Sequence, residues 1–246
     1  MNKLFKVFTM AVMLVMASHA MAQSHGTMFL GASFPIGDFG DGDEFMETAL
    51  GGYDDDGGAG IGFNAGLRWD FGVGVPGLGV LLSVDGLYNG PNADLNDDYK
   101  HIKRDLEAMY ENSRLSSPKY INVPAMLGLR YCFYLNPQFG VYAEGGAGCN
   151  MRFITDYSQK GSTKLLKRKN ITVFDYENAF SFAWQLGLGI EVSKKLVVGC
   201  SFYDLGKADV KGELLSMVEG VNMPTVDFEY GTLHPMMILA RVGFRF

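Results

Sequence analysis

After its first 22 residues, the sequence lacks any long apolar run of the kind that crosses a membrane as a helix. Such a helix needs about 20 consecutive apolar residues, and the mean hydropathy of the chain is only +0.05. Hydrophobic residues nevertheless make up 48% of the 246 residues, which is too many for a disordered chain. A helical membrane protein and an intrinsically disordered protein are therefore both excluded.

Cysteine is also scarce. The three cysteines, Cys132, Cys149 and Cys200, are odd in number and far apart in the sequence. Their spacing predicts neither a disulfide framework nor a zinc site. We therefore expect no cofactor and no metal, and cysteines that behave as small hydrophobic side chains.

The first residues have the features of a secretory signal peptide. Two lysines precede a short apolar run at 7–17, and a small-residue motif follows and ends at Ala22. A basic start, a short apolar stretch and such a motif together indicate export and cleavage. The sequence predicts cleavage between Ala22 and Gln23, with a signal peptide at 1–22 and a single domain at 23–246.

The rest of the chain is patterned for strands with two different faces. From Ile61 to Phe71, every second residue is apolar, and the residues between them are glycine, Asn64, Arg68 and Asp70; 180–192 repeats the pattern. This alternation has the period of a β-strand, and six other segments show it less regularly. The eight predicted strands cover about 26–36, 61–71, 78–89, 120–131, 139–153, 180–192, 196–205 and 234–246.

The composition of the two faces indicates which one points outward. The apolar face carries bulky and aromatic residues, whereas the other face mixes glycines with charged and amide side chains. A soluble ligand-binding barrel would point its apolar face inward. A polar interior with an apolar exterior is stable only in lipid, where a closed barrel also satisfies every backbone hydrogen bond.

The predicted connections alternate in length. Short ones cover Gly72–Gly77, Cys132–Gln138 and Ser193–Lys195, and long ones cover about 37–59, 90–119, 154–179 and 206–233. Short periplasmic turns and long extracellular loops are typical of outer-membrane barrels. The sequence therefore predicts an all-β protein of the Gram-negative cell outer membrane: an eight-stranded antiparallel transmembrane up-and-down β-barrel.

Aromatic residues cluster near the predicted strand ends, where a membrane interface favours them. The predicted girdle consists of Trp69, Phe71, Tyr131, Phe139, Phe180 and Phe182. The last strand alternates up to a terminal phenylalanine. There, Val242, Phe244 and Phe246 resemble the C-terminal signal by which the barrel-assembly machinery recognises its clients.

Four motifs resemble those of the small outer-membrane β-barrel proteins of Bacteroidetes, the OmpA/OmpX-like or porin-family group. They are Phe34–Phe39, Tyr120–Ala125, Tyr142–Gly148 and Phe202–Gly206. The resemblance implies the fold and the location, and little about activity. The expected partners are outer-membrane lipids and lipopolysaccharide, together with the assembly machinery during biogenesis.

Four charged residues are predicted to meet inside the barrel. Asp85, Glu144 and Arg241 fall on the inward face at similar depth, and Arg68 falls closer to the periplasmic rim. Eight strands leave an interior that side chains just fill, and buried charges must pair. We expect Glu144 to form an ion pair with at least one of the two arginines, and the network to plug the barrel.

The long loops differ in character. The first, over 38–56, is acidic, and the third carries a basic cluster over 160–169. Solvated charge is the expected role of both, with bridging to lipopolysaccharide as the alternative. The second loop predicts a helix over the barrel mouth, with Asn92 or Asp94 as its N-cap. Its apolar positions are Leu95, Tyr99, Ile102, Leu106 and Met109.

No catalytic site follows from the sequence. His234 is the one histidine suited to catalysis, with Ser181 or Ser201 as distant partners, and no motif supports a triad. We therefore expect a non-enzymatic protein with a structural or interaction role at the cell surface, an extracellular ligand at its loops and no nucleic-acid partner. A small-solute porin is the main alternative, although aqueous channels belong to barrels of about 16 strands or more. A subunit of a secretion or assembly complex is the other.

Overall fold

The computed structural model describes residues 24–41, 57–117, 119–155, 157–163, 169–218 and 221–246. Its strands and its helix α1 follow one another as β1 (Ser24–Ile36), β2 (Gly62–Gly72), β3 (Leu78–Asn89), α1 (Ala93–Met109), β4 (Tyr110–Leu115), β5 (Tyr120–Asn136), β6 (Phe139–Ile154), β7 (Tyr157–Thr163), β8 (Lys169–Tyr176), β9 (Ala179–Val192), β10 (Leu196–Asp204), β11 (Ala208–Val218), β12 (Val221–Asn222), β13 (Val226–Leu233) and β14 (Met236–Arg245).

Eight of these strands close into a barrel. Their order is β1-β14-β10-β9-β6-β5-β3-β2, and every neighbouring pair is antiparallel. The predicted fold class is confirmed, and the eight barrel strands fall on the eight predicted segments. Among the described residues, no helix combines the length and the apolar character that a membrane-crossing helix needs.

The predicted assignment of faces is also confirmed. Phe180 and Phe182 on β9 are 66% and 69% exposed, whereas Gln185 on the same strand and Arg68 on β2 are each only 1% exposed. Bulky apolar side chains therefore cover the outside of the barrel. The charged side chains of the strands lie inside it.

Tight turns close one end of the barrel, which we call the turn end. Between β9 and β10, Ser193 and Lys194 have φ of 53° and 55°, and the amide of Lys195 donates to the carbonyl of Val192 at 3.1 Å. Two consecutive left-handed residues are typical of a type I′ turn, whose twist matches that of antiparallel strands. The predicted connection at Cys132–Gln138 is wrong in length, because β5 pairs with β6 up to Asn136.

The opposite end, the loop end, departs from the prediction. The segments predicted as long loops at 90–119, 154–179 and 206–233 contain six strands, β4, β7, β8, β11, β12 and β13. They form a second sheet in the order β12-β11-β8-β7-β4, with β13 also paired to β11, which we call the loop sheet. β4 and β7 are mostly polar, whereas β11 and β13 alternate apolar and charged residues over stretches that the sequence analysis assigned to loops.

The barrel interior is polar only in part, which corrects the expected polar interior. Toward the loop end lies an apolar cluster, here called the outer cluster. It consists of Phe39, Ala59, Leu87, Tyr120, Met126, Ile154, Ala183, Tyr203, Leu205, Leu233, Met237 and Leu239. Several of its members come from the loops, so loop residues fill the mouth of the barrel.

The first two loops are joined by backbone hydrogen bonds over this mouth. The Gly60 amide donates to the Gly90 carbonyl at 2.7 Å, and the Asn92 amide donates to the Gly58 carbonyl at 2.7 Å. Asn92 is also the N-cap of α1, since its side-chain oxygen accepts a hydrogen bond from the Leu95 amide at 2.8 Å. Leu95 is fully buried. The side chains of the other four predicted apolar helix positions lie outside the described residues.

Candidate functional site

The structure brings together the four charged residues predicted to meet inside the barrel. Arg68 Nη1 lies 2.5 Å from Glu144 Oε2, Arg241 Nη2 lies 3.4 Å from Glu144 Oε1, and Arg241 Nη1 lies 3.2 Å from Asp85 Oδ1. All four are buried. They form what we call the central group, in which Glu144 pairs with both arginines.

Four different strands contribute to the central group. Arg68 comes from β2, Asp85 from β3, Glu144 from β6 and Arg241 from β14, each at an inward position. The group therefore depends on closure of the barrel, because β2 and β3 meet β6 only across the interior. No local segment of the chain can form it.

Neutral side chains complete the central group. The Tyr203 hydroxyl donates to Asp85 Oδ2 at 2.7 Å, and Arg241 Nη2 donates to Ser201 Oγ at 2.7 Å. The guanidinium carbons of Arg68 and Arg241 lie 4.6 and 5.1 Å from the centre of the Phe29 ring. Such contacts favour desolvated arginine through the negative face of the ring.

A second charged group lies toward the turn end, and the sequence analysis did not identify it. Arg130 Nη1 lies 2.9 Å from Asp70 Oδ2, and Arg130 Nη2 lies 2.5 Å from Glu191 Oε1. Arg245 Nη1 donates to Glu191 Oε2 at 3.0 Å, and the Tyr134 hydroxyl donates to the same oxygen at 3.1 Å. We call Asp70, Arg130, Glu191 and Arg245 the turn-end group.

A signal for the turn-end group was present in the alternation. Arg130 has the same parity on β5 as the inward Asn122, and Arg245 has the same parity on β14 as Arg241. Side chains two residues apart share a face of a strand. What the sequence did not give was the register between strands, which sets the depth at which these charges meet.

The two groups are balanced in charge and joined. Each contains two arginines and two carboxylates, and Arg130 Nε lies 3.9 Å from Glu144 Oε2 between them. Desolvated charges persist only when paired, since removal of one partner from a buried pair costs about 3–5 kcal/mol. The eight residues therefore occupy the part of the interior toward the turn end with a formally neutral set of mutually dependent charges.

A fifth interior arginine, Arg152, connects the barrel to the loops. Its guanidinium donates to the carbonyls of Leu233, Ala208 and Asp209 at 3.0, 2.9 and 3.1 Å. These carbonyls lie at the ends of β11 and β13 that are nearest the barrel. Arg152 therefore attaches the base of the loop sheet to the barrel wall.

The loop sheet has an aromatic cluster on one of its faces. The Phe228 ring meets Phe174 and Tyr176 edge-on, each at 5.6 Å between centroids, and Tyr176 packs against the outer cluster. On the opposite face, Lys211 Nζ lies 3.1 Å from Glu229 Oε1 and 3.3 Å from Asp209 Oδ2. Hydrogen bonds to these two carboxylates raise the pKa of the exposed Lys211 ammonium.

The residues predicted for the membrane interface and for assembly lie on the outside of the barrel. Among the predicted girdle, Tyr131, Phe180 and Phe182 are exposed, and Trp69, Phe71 and Phe139 are half-buried. Val242, Phe244 and Phe246 are exposed on the last strand and just after it. Interfacial anchoring and recognition by the assembly machinery stay predictions.

His234 has an acidic partner, and both serines predicted as its distant partners are hydrogen-bonded to other groups. His234 Nε2 lies 2.8 Å from Asp204 Oδ1. Ser201 Oγ accepts a hydrogen bond from Arg241, and the Ser181 hydroxyl donates to the Leu205 carbonyl. In the part of the chain that the structure describes, no group of three or more His, Cys, Asp or Glu residues could hold a metal ion.

Several predicted features lie outside the described residues. They are the signal peptide with its cleavage site at Ala22 and Gln23, positions 42–56 of the acidic loop, and positions 164–168 of the basic loop. Their assigned roles stay predictions.

Comparison with known proteins gave one family and several structures. The family model described as the outer membrane protein beta-barrel domain matches residues 8–246. A search of curated proteins found no match.

Among solved structures, Ail, the attachment invasion locus protein of Yersinia pestis, is 14% identical, with 91% of this chain and 99% of that chain covered and a TM-score of 0.39. The outer membrane protein OprG of Pseudomonas aeruginosa is 15% identical, with 91% and 96% covered and a TM-score of 0.45. A major outer membrane protein of Thermus thermophilus is 11% identical, with 91% and 100% covered and a TM-score of 0.46.

Proposed function

The chain belongs to the outer membrane protein beta-barrel domain family, and from this membership we propose that it is a sealed barrel that acts as an interaction protein at the cell surface. The loop sheet is the proposed interaction surface. The observation that carries the proposal is the filled interior, because a barrel without a water path leaves its loops as the part that can act.

The contacts inside the barrel support the sealed state. An eight-stranded barrel is just wide enough for side chains to fill it. The central and turn-end groups occupy the interior toward the turn end, and the outer cluster occupies it toward the loop end. A charged solute that entered would have to displace paired charges or apolar side chains, and both replacements are unfavourable.

The tip of the loop sheet supports the interaction role. Leu215, Val221, Met223 and Val226 are all exposed there, with Val221 exposed by 64%. Charged side chains of β11 and β13 lie on the same sheet at 211, 213, 227 and 229. Exposed apolar side chains grouped on a surface outside the membrane mark an interaction site. We propose an extracellular protein or glycan ligand at this tip, with lipopolysaccharide as a neighbour of the barrel and the assembly machinery as a partner in biogenesis.

Binding to arrays of peptides and glycans tests the proposal. The barrel is held in phosphatidylcholine nanodiscs, and the variant Val221→Ser/Met223→Ser/Val226→Ser is compared with the unmodified chain. Burial of one such side chain contributes about 1.5–3 kcal/mol, so the triple change is expected to lower the binding signal at least about tenfold.

The control is Lys100→Ser/Lys103→Ser, which changes exposed side chains of α1 and is expected to keep the signal. If the unmodified chain binds neither array above empty nanodiscs, the interaction role is wrong. A channel or a complex subunit then becomes the better explanation of the same barrel.

A further inference from the structure

The backbone pairing between β3 and β5 has a gap inside the membrane wall. The pairs run in one register from Leu78↔Tyr131 to Val84↔Ala125 and resume at Leu87↔Asn122, so that Asp85 and Gly86 have no paired partner on β5. The other seven ladders of the described barrel run without such a gap, apart from an irregularity beside the β5–β6 turn.

A proline explains the gap. The residue that faces Asp85 in this register is Pro124, which has no amide hydrogen. Pro124 pairs normally with Asn150 on β6, so its nitrogen faces β3. The Asp85 carbonyl therefore receives no hydrogen bond from β5, in a wall where lipid cannot replace the missing donor.

The position of Pro124 is unusual for a strand proline. Proline within a sheet is normally found where its nitrogen faces no partner strand, and Pro35 on β1 follows that rule. Pro35 lies beyond the last pair of β1 with β2, Ser33↔Gly62, while its pairing with Met237 on β14 is intact. Pro124, by contrast, has a partner strand on both sides.

The gap isolates a short end of the ladder. On its loop-end side only three pairs remain, Leu87↔Asn122, Tyr88↔Ile121 and Asn89↔Tyr120. We call residues 87–89 and 120–122 the tip segment. Proteins open locally in contiguous cooperative units. Because the gap interrupts the ladder, the tip segment can separate without disturbing the pairs from Leu78 to Val84.

Two of the side-chain hydrogen bonds of the tip segment connect it to residues 57–60. The Tyr120 hydroxyl donates to the Gly57 carbonyl, and Asn89 Nδ2 donates to the Gly60 carbonyl at 2.9 Å. Both acceptors belong to the returning arm of the first loop. Residues 57–60 are therefore hydrogen-bonded to both strands that flank the gap, β3 through Asn89 and β5 through Tyr120.

We propose that the barrel wall opens laterally between β3 and β5, with Pro124 as the point where separation starts and residues 57–60 as the latch. The opening connects the outer cluster, through Leu87 and Met126, with the outer leaflet of the membrane. Few side-chain atoms cover the outside of the gap. Gly86 faces outward, and a Cβ on it would meet only the Ala65 carbonyl, at 3.7 Å. This proposal is independent of the surface-interaction role.

Amide exchange measured by NMR in phosphatidylcholine nanodiscs tests the opening. Amides of β5 alternate between its two neighbours, so Asn122 faces β3 while Ile121 and Val123 face β6. We expect the amides of Leu87 and Asn122 to exchange at least about tenfold faster than those of Ile121 and Val123. Equal exchange of the two sets would overturn the proposal.

Two substitutions are expected to shift this exchange in opposite directions. Pro124→Ala restores a donor toward Asp85 and slows exchange at Leu87 and Asn122. Tyr120→Phe removes the bond to Gly57, keeps the ring, and speeds exchange there several-fold. Pro35→Ala is the control and leaves these amides unchanged. A Pro124→Ala variant that exchanges like the unmodified chain contradicts the proposal.

A reversible crosslink distinguishes a wall that opens from a gap that does not move. The register of the ladder places Gly86 opposite Val123 at a position without mutual hydrogen bonds. Cα atoms at such positions of a regular ladder lie about 4.5 Å apart, within the range of a disulfide. Gly86→Cys/Val123→Cys, in a chain whose own cysteines are replaced by serine, is expected to slow the tip exchange when oxidised and to restore it when reduced. If oxidation does not change amide exchange in the tip segment, the wall does not open between β3 and β5.

Discussion

At the scale of single residues, Glu144 is the side chain on which the interior depends most. Its carboxylate forms ion pairs with Arg68, Arg241 and Arg130, and it is one of the two carboxylates in the central group. The pattern of inward positions predicted its pairing from the sequence, because charge in a barrel of this size has to be neutralised locally. The partner Arg130 was not predicted, because its depth depends on the register of β5.

We expect Glu144→Gln to destabilise the barrel by about 3–5 kcal/mol, because two desolvated arginines lose their shared carboxylate. Urea unfolding in phosphatidylcholine vesicles measures the free-energy difference. The matched control is Asp97→Asn, which removes a carboxylate whose pair with Lys100 is exposed at both ends and which is therefore expected to leave the stability of the barrel unchanged. A Glu144→Gln barrel as stable as the Asp97→Asn barrel would show that the interior charges are solvated rather than paired.

At the scale of elements, the barrel strands and the loop strands differ in how far they can be predicted. A strand such as β9 separates lipid from a packed interior, and this requirement imposes the alternation seen from Phe180 to Val192. Strands β8 and β11 stand above the barrel and pair through their backbones without that requirement. In the chain, β8 precedes β9 and β11 follows β10. Pairing of β9 with β10 in the barrel therefore brings β8 and β11 side by side.

Gly212 on β11 gives a test of the loop sheet as an element. A Cβ at this position would lie 2.7 Å from Phe228 Cζ and would also meet the Asp175 carbonyl. Overpacking of this kind costs about 1–3 kcal/mol, so Gly212→Ala is expected to loosen the loop sheet. Surface proteolysis of intact cells measures this as faster cleavage within 169–233, while the barrel itself stays folded.

Gly90→Ala is the control for that measurement, since a Cβ at Gly90 would meet nothing within 4 Å. Its cleavage rate should match that of the unmodified chain. If Gly212→Ala is also cleaved at the unmodified rate, the aromatic cluster does not hold the sheet together.

At the scale of the whole molecule, the sealed barrel predicts the absence of a steady current. In planar lipid bilayers the protein is expected to show no reproducible open state, since the charged groups and the outer cluster together occupy the interior. Heat modifiability on cold SDS gels confirms in the same preparation that the barrel is folded. A steady conductance from a heat-modifiable preparation would contradict the sealed barrel and favour the porin alternative.

The sequence by itself determined the number of barrel strands, the face each strand turns to lipid and the end at which the turns lie. These properties follow from the local period of the strand and from the lengths of the connections, and both can be read along the chain. The tertiary structure alone decided that Arg130 and Arg245 join the interior network, that loop residues fill the mouth, and that Pro124 faces Asp85. The physical reason is register: contacts across a closed barrel depend on how strands distant in the chain are aligned, and no local pattern of residues encodes that alignment.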